Sequence, residues 1–577
     1  MMCRAALLVL AVAALTSACA SHAIRPWEYQ PKAMADTLAI WEPEEREASL
    51  VYDALHHAIF RPLAQGVDLN RQFAGPPPAL NADVWDGVVN STWFTNRNGV
   101  EALAPDAVYR GSHTGDGPDQ SGPVEVKDLK AEGVNPGFFI KDAAGDRYLI
   151  KFDPPDLPEM ATGADVLATN LVWAAGYHTP ENYVFALDPE KLVLDLDEGT
   201  EIFVMVDDEV VNYEVGAEDE GEELTIDVFR KHFLDIYPRQ ADGTIRALAS
   251  KFLKGTPKGP FSYQKTRPDD PNDVIDHEHR RELRGYYVIA SWINQVDTKQ
   301  GNTLDMFVLD PKSPEDPEEG RRFGYLRHYM LDNGAALSSG GVHAHVPRHG
   351  TENDFDLNMI GKRFVSLGFY QAPWQTLADS SHPASIGYYS DAIFEPGNWR
   401  PNMPNPAFDN RDARDGYWGA KIVMSFTDAQ LTRAVDATEW SDASARAYIL
   451  KGLKARRDAI GRYWFGEVSP LERPRIEGGA LVFEDLWLQY FGGAQQYRYN
   501  FSWEAPDPDV NAEGTVNAPR IPLPFPASIG SADPEHAHTR LEVWRRAPDG
   551  DWAPRPATFW LAWDAAARTY QVVGARY

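Results

Sequence analysis

The chain has 577 residues, 43% of them hydrophobic and 12% aromatic, enough to bury one large core or two to three smaller ones. A net charge of −30 and an isoelectric point near 4.9 repel nucleic acid and anionic head groups at long range. Nucleic acid is thereby excluded as a partner, and a phosphorylated ligand needs a local basic pocket.

At the start, Arg4 precedes the apolar run Ala5 to Leu15, and the small residues Thr16-Ser17-Ala18 lead into Cys19. The run is too short for a permanent membrane helix, and the pattern resembles a bacterial signal peptide of the lipoprotein type, residues 1–19, with Cys19 left as the lipidated N-terminus. Ala20 after the cysteine is similar to the outer-membrane sorting pattern, which implies a lipid-anchored envelope protein facing the periplasm or the cell surface. Cys3 leaves with the signal and Cys19 is acylated, so no disulfide is expected. No later stretch approaches eighteen uncharged apolar residues, and the lipid is the only membrane attachment expected.

Residues 20–122 read as an irregular leader with one helix, Glu44 to Phe60, closed by the Gly-, Asp- and Ser-rich stretch Gly111 to Gly122. From Pro123 the pattern changes. Gly137 to Lys141 and Tyr148 to Phe152 predict a hairpin around Asp142 to Asp146, followed by a helix over 160–175 that Gly176 ends. Strands are expected at 183–187 and 202–206, and a mostly helical stretch over 225–295 ends in a long helix from 277 to 294. Two apolar strands, 304–309 and 325–331, flank the acidic loop 310–320, and helices return at 427–438 and 442–463. Beyond Ser469 the period becomes strand-like, with 541–544 and 559–563 flanking a turn at Asp549-Gly550. The expected organisation is α+β: leader, a middle domain over 123–468, and a mostly β domain over 469–577.

The chemistry is concentrated in two segments, the loop Val296-Asp-Thr-Lys-Gln-Gly-Asn302 after the long helix and Met330-Leu-Asp-Asn-Gly334 at the end of a strand. Phosphoryl transfer needs a carboxylate to receive the attacking hydroxyl's proton, and a carboxylate and an amide to hold Mg²⁺ on nucleotide phosphates. Asp297 fits the first role, Asp332 and Asn302 the metal roles, and Lys299 a place against the transferred group. Singly, Asp and Asn favour turns for local hydrogen-bonding reasons; the ordered set carries the reading. His343, His345 and His349 lack a spaced carboxylate or cysteine and read as a solvated loop. Trp399 to Trp418 reads as packing, and Arg280-Arg281 as cover for the exposed side of their helix.

These residues resemble the protein-kinase-like superfamily, with its D-x-K-x-x-N loop and D-x-G metal motif, and within it the HipA-type, type II phosphatidylinositol 4-kinase and secretory-pathway branches. Those branches likewise lack His-Arg before the loop aspartate, where this chain has Gln295-Val296, and the secretory branch is similar in its D-N-G. The resemblance covers about residues 123–465 and implies a two-lobed kinase-like domain using ATP or another nucleotide with Mg²⁺ on a hydroxyl acceptor, protein or small molecule. It implies that Lys151 binds the nucleotide and pairs with a helix carboxylate, Asp165 first and Glu159 second. No G-x-G-x-x-G is present, and Gly133 to Gly137 is the loose substitute, with Gly137 assigned to the cofactor. Outside the cytoplasm no ATP supply is expected. The alternatives are therefore a pseudokinase and a non-catalytic envelope lipoprotein that binds a ligand or partner.

Overall fold

Alternating residues decide the first half. In a computed structural model, which describes residues 36–577 apart from 68–70, 72–74, 131–136, 207–208, 218–221, 311–321, 504–511, 525–537 and 565, six strands form one sheet. They are β1 (Val124–Leu129), β2 (Gly137–Lys141), β3 (Arg147–Lys151), β4 (Asn182–Leu187), β5 (Leu192–Leu194) and β6 (Ile245–Lys251), in the order β4-β6-β3-β2-β1-β5. Val124, Val126, Phe138, Ile140, Tyr148 and Ile150 fill one face, and with Phe229, Leu234 and Tyr237 they make a core of their own. The expected signal peptide with Cys19, the loop 133–136 and nearly all of the acidic loop lie outside the described residues.

Helix α1 (Met160–Ala175) crosses from this sheet into the second, larger core. Every residue of it but Trp173 is buried, the mark of a helix surrounded on all sides. Much of the rest of that core comes from α2 (Arg281–Ile293), α4 (Ala413–Met424), α5 (Asp428–Asp436) and α6 (Ala443–Gly466), with α3 (Leu357–Val365) lying outside it. Strands β7 (Thr303–Leu309) and β8 (Phe323–Met330) pair antiparallel, Thr303 opposite Met330, and Ile40–Trp41 of the leader joins the β8 edge. Past α6 the described elements are strands from Leu471 on, apart from a short helix at Leu486–Phe491. In packing, however, the C-terminal strands share the larger core, which includes Leu481, Phe559 and Tyr577 beside Tyr417 and Phe465, and Arg414 Nε donates to Tyr577 O at 2.6 Å.

Three expectations are corrected. The stretch 225–295 is not mostly helical: Ile245–Lys251 is a strand paired on both sides, with Leu248 opposite both Lys151 and Val184. Its alanines permit a helix, and sheet partners decide otherwise. The leader helix begins at Leu50, capped by Ser49, and helical turns continue to Val67 through a π-type stretch at His56–Phe60; a further short helix lies at Pro105–Arg110. Arg280 and Arg281 are buried, not exposed. The leader and α4 close over the start of α2, where Arg281 meets Asp86 at 3.0 Å and Asp415 at 2.9 Å, and Arg280 meets Asp273 at 3.0 Å. Trp399 and Trp418 are core residues, as their composition suggests.

Candidate functional site

The hairpin β2–β3 turns at Asp142, whose Oδ1 accepts from Asp146 N at 2.8 Å, with Gly145 at φ 89°. Along β3, Tyr148 and Ile150 face the sheet's core, so Leu149 and Lys151 face the opposite way, toward the larger core. Lys151, only 16% exposed, places Nζ 3.2 Å from Asp332 Oδ2, immediately after β8. Gly137 lies opposite Lys151, and a Cβ there would sit 2.3 Å from Ile150 O. Glycine is thus what lets the two strands approach at this point.

Asp165 comes to the same place from α1. Its Oδ1 accepts from Asn182 Nδ2 at 2.8 Å and from Thr169 Oγ1, one turn on, at 3.0 Å. Asn333 of the D-N-G turn donates to the same Thr169 hydroxyl at 3.2 Å. Asp332 Oδ1 accepts from Gly334 N at 2.9 Å, and Gln295 Nε2 donates to Asp332 O at 2.8 Å. Burial, opposed by Lys151 and reinforced by the charge of Asp332, pushes Asp165 up to about 6. The Lys151 ammonium, against the effect of burial and helped by the Gly334 N–H, holds Asp332 below the usual carboxylate range. Burial opposes the charge of Lys151, but Asp332 and Asp165 outweigh it and raise its pKa.

Helix α2 ends at Asn294, which takes the left-handed conformation at φ 53° and releases the chain into the second segment. The two segments are then stitched by backbone bonds: Val296 N donates to Ala335 O at 3.2 Å, and Leu331 N to Asn302 O at 2.9 Å. Lys299 Nζ lies 2.8 Å from Asp297 Oδ2, and Asn302 Nδ2 donates to Asp297 O at 2.8 Å. Lys299 also lowers the pKa of Asp332. The leader reaches this loop as well, since Gln300 Nε2 donates to Asp53.

All the assigned residues of the two segments and Lys151 are therefore brought together, with changes of detail. Asp332, not Asp165, touches Lys151, while Asp165 acts on it from farther away. Glu159 is turned elsewhere, accepting from Ser441 N at 2.8 Å and Ser441 Oγ at 3.0 Å. Lys299, expected against the transferred group, is paired with Asp297. Asn302 donates through its nitrogen to Asp297 O, so its amide oxygen is the end that could face a cation.

The donor set suits a hard cation. Asp165 Oδ2 and Asp332 Oδ1 lie 3.3 and 3.2 Å from where a Gly334 Cβ would be, so two carboxylate oxygens converge on a cradle that only glycine keeps open. Carboxylate and amide oxygens are what Mg²⁺ takes, usually beside water and phosphate. Lys151 and, at the end of β1, Lys130 supply the positive charge that phosphates need; Lys130 feels both Lys151 and Asp332.

Sequence reasoning missed Asn182, Thr169, Asn333, Gln295 and Lys130 as parts of this site. Asn333 and Gln295 adjoin the motifs and were legible there; nothing marks Asn182. The histidine loop is not wholly solvated. His343 is exposed, but His345 is buried, burial pushes it down to about 3, and it stacks on His349 with ring centroids 4.5 Å apart. Among the described residues these three histidines do not bring their ligand atoms together; the group of three acidic or imidazole side chains that does is Asp276, Glu278 and His279.

No helix among the described residues is long and apolar enough to cross a membrane. No protein-family model matches the chain, and no curated protein compared with it does. Among solved structures, the chain is similar to the Helicobacter pylori proinflammatory kinase CtkA, at 10% identity and a TM-score of 0.26 over 59% of this chain and 96% of that one. At that level the likeness carries no property from one chain to the other; this chain is itself α+β.

Proposed function

We propose that this chain is an exported lipoprotein, acylated at Cys19 and held at the outer membrane, whose middle region is a kinase-like phosphotransferase using ATP or another nucleotide with Mg²⁺. The observation that carries the reading is the junction of Lys151, Asp332 and Asp165, drawn from a sheet, a turn and a buried helix onto one point beside the Asp297 loop. A lysine of this burial is costly without anionic partners, and the Asp165–Asp332 carboxylate pair is costly without a cation. The Lys151–Asp332 pair meets part of each cost, and nucleotide phosphates with Mg²⁺ would meet the rest.

In this reading Asp332, Asp165 and the Asn302 oxygen hold the metal, while Lys151 and Lys130 hold phosphates. Asp297 receives the acceptor hydroxyl's proton as its oxygen bonds to the terminal phosphorus; the bond to the bridging oxygen breaks, and the diphosphate leaves. The Lys299–Asp297 pair favours a second reading, a pseudokinase, because it occupies the carboxylate meant to take that proton.

Thermal unfolding of the detergent-solubilised protein, with nucleotide and with or without Mg²⁺, tests the proposal. Binding at a hundredfold excess over Kd stabilises a fold by about 2.7 kcal/mol, and a rise in Tm only when both are present is expected. No metal-dependent rise sinks both readings; a rise without phosphate transfer to any envelope component selects the second.

A further inference from the structure

Helix α3 turns its apolar side outward. At about 100° per residue, Leu357, Ile360, Gly361, Phe364 and Val365 share one arc, and Asn358, Met359, Lys362 and Arg363 the other. A globular protein buries such an apolar arc, yet no residue of α3 is buried. The fastened side is the polar one. Arg363 lies 3.2 Å from the buried carboxylate of Glu352, which also takes Arg348 at 2.9 Å and Trp374 Nε1 at 3.1 Å. Past the helix the chain turns through Leu367 and Gly368, both at positive φ, and adds more apolar surface. Phe364, Val365, Leu367 and Phe369 are 80, 83, 85 and 88% exposed.

Side chains that exposed stand clear of their neighbours, so the feature is a protrusion and not a groove. A stable protein interface covers about 800 Å² on each partner with close complementarity, which separate projecting side chains do not offer. Acyl chains close around any shape, and an amphipathic helix with basic residues on its polar face lies readily in a lipid interface. We propose that residues 357–369 dock on a lipid bilayer, with Phe364, Val365, Leu367 and Phe369 among the acyl chains and Lys362 at head-group level. The net charge of −30 selects a zwitterionic surface.

The docking segment is tied to the candidate site. Asp354 N donates to Asn402 O at 2.8 Å, and Asn402 N donates to Val296 O at 2.8 Å, one residue before Asp297. Docking therefore engages a stretch of chain that two backbone hydrogen bonds link to the start of the Asp297 loop. The acyl group proposed at Cys19 would add a tether: 36 − 19 gives 17 residues to Asp36, a reach of at most about 56–61 Å. Docking itself requires neither the acyl group nor phosphotransfer.

The test uses the full chain with Cys3→Ser and Cys19→Ser, a nitrobenzoxadiazole probe on Val365→Cys, and phosphatidylcholine vesicles. The expected result is a blue shift and a several-fold rise in emission on adding vesicles. Ile360→Asp with Phe364→Asp should abolish it, and the same probe on Asp549→Cys, in an exposed turn, should not respond. The leader can bring the chain to a vesicle, but only insertion changes a probe at 365. Emission unchanged by vesicles overturns the proposal. A rise with protein concentration alone also overturns it, because the occupant is then a second copy.

Discussion

Asp165 and Asp332 each direct one carboxylate oxygen at the same point beside Gly334, 3.3 and 3.2 Å from where a Cβ would stand. Two carboxylates so placed do not both ionise cheaply, and the ion pair with Lys151 settles which one keeps its charge.

Burial raises Asp165 to about 6 in the folded chain against about 3.9 for an aspartate in an unfolded one, so below about 6 Asp165 holds the proton and not Asp332. Between those values the native state binds more protons than the unfolded state, so stability is expected to fall as pH rises through that window, by on the order of 1–3 kcal/mol. Asp165→Asn should flatten that part of the pH profile. Urea unfolding of both proteins across the window checks it, and parallel profiles would show that Asp165 is ionised throughout.

Lys151→Ala leaves Asp332 and Asp165 facing each other without their cation. Nucleotide affinity should drop at least tenfold, and the pKa of Asp332 should rise. Calorimetric titration of nucleotide reads the first effect, and unchanged affinity would mark Lys151 as a purely structural partner of Asp332.

The two loop aspartates have separable tasks. Asp332→Asn should abolish Mg²⁺-dependent nucleotide binding by removing the main metal charge, whereas Asp297→Asn should leave binding nearly intact and lower transfer by about 10²–10⁴-fold. Titration with and without Mg²⁺, beside a transfer assay on envelope extract, distinguishes them. Equal loss of binding in both variants would mean the roles are misassigned.

Arg281→Met strips a buried cation from Asp86 and Asp415 together. Breaking a buried pair from one side costs about 3–5 kcal/mol, so a large fall in Tm is expected. Arg281→Lys should recover only part of it, because a single ammonium does not reproduce the planar fork that meets two carboxylates. A Tm within a degree or two of the parent's in the methionine variant would show that the network is dispensable.

Acylation at Cys19 predicts that the protein takes up an alkyne-tagged fatty acid in growing cells and that Cys19→Ser does not. Equal labelling would place the lipid elsewhere; no labelling of either would leave the apolar docking segment as the membrane contact.

How far the sequence carried depends on the range of the forces involved. The hairpin and α1 were legible because their signals are local: two alternating runs around Asp142 to Asp146, and apolar residues at three- and four-residue spacing up to Gly176. The resemblance between ordered motifs set Lys151 and Asp332 in one site but paired Lys151 with Asp165, whereas Asp332 makes the contact. Asn182 was invisible because its task, orienting Asp165, exists only once β4 lies beside α1. Arg281 was misread for the same reason, since its carboxylates arrive from the leader and from α4. Ile245–Lys251 failed where intrinsic preference and sheet pairing disagree.

The burial of α1 on all sides has a consequence for motion. Gly163 lies under Trp440, so close that a Cβ would meet its indole nitrogen at 2.2 Å, and Trp440 Nε1 donates to Glu159 O at 2.6 Å. Swinging this helix outward would strip fifteen buried residues from their neighbours at once, a cost of many kcal/mol at about 25 cal/mol per Å². Asp165 is therefore a fixed post. A chain built this way is not switched by moving that carboxylate; whatever opens or closes the junction must shift the sheet that bears Lys151 or the turn that bears Asp332.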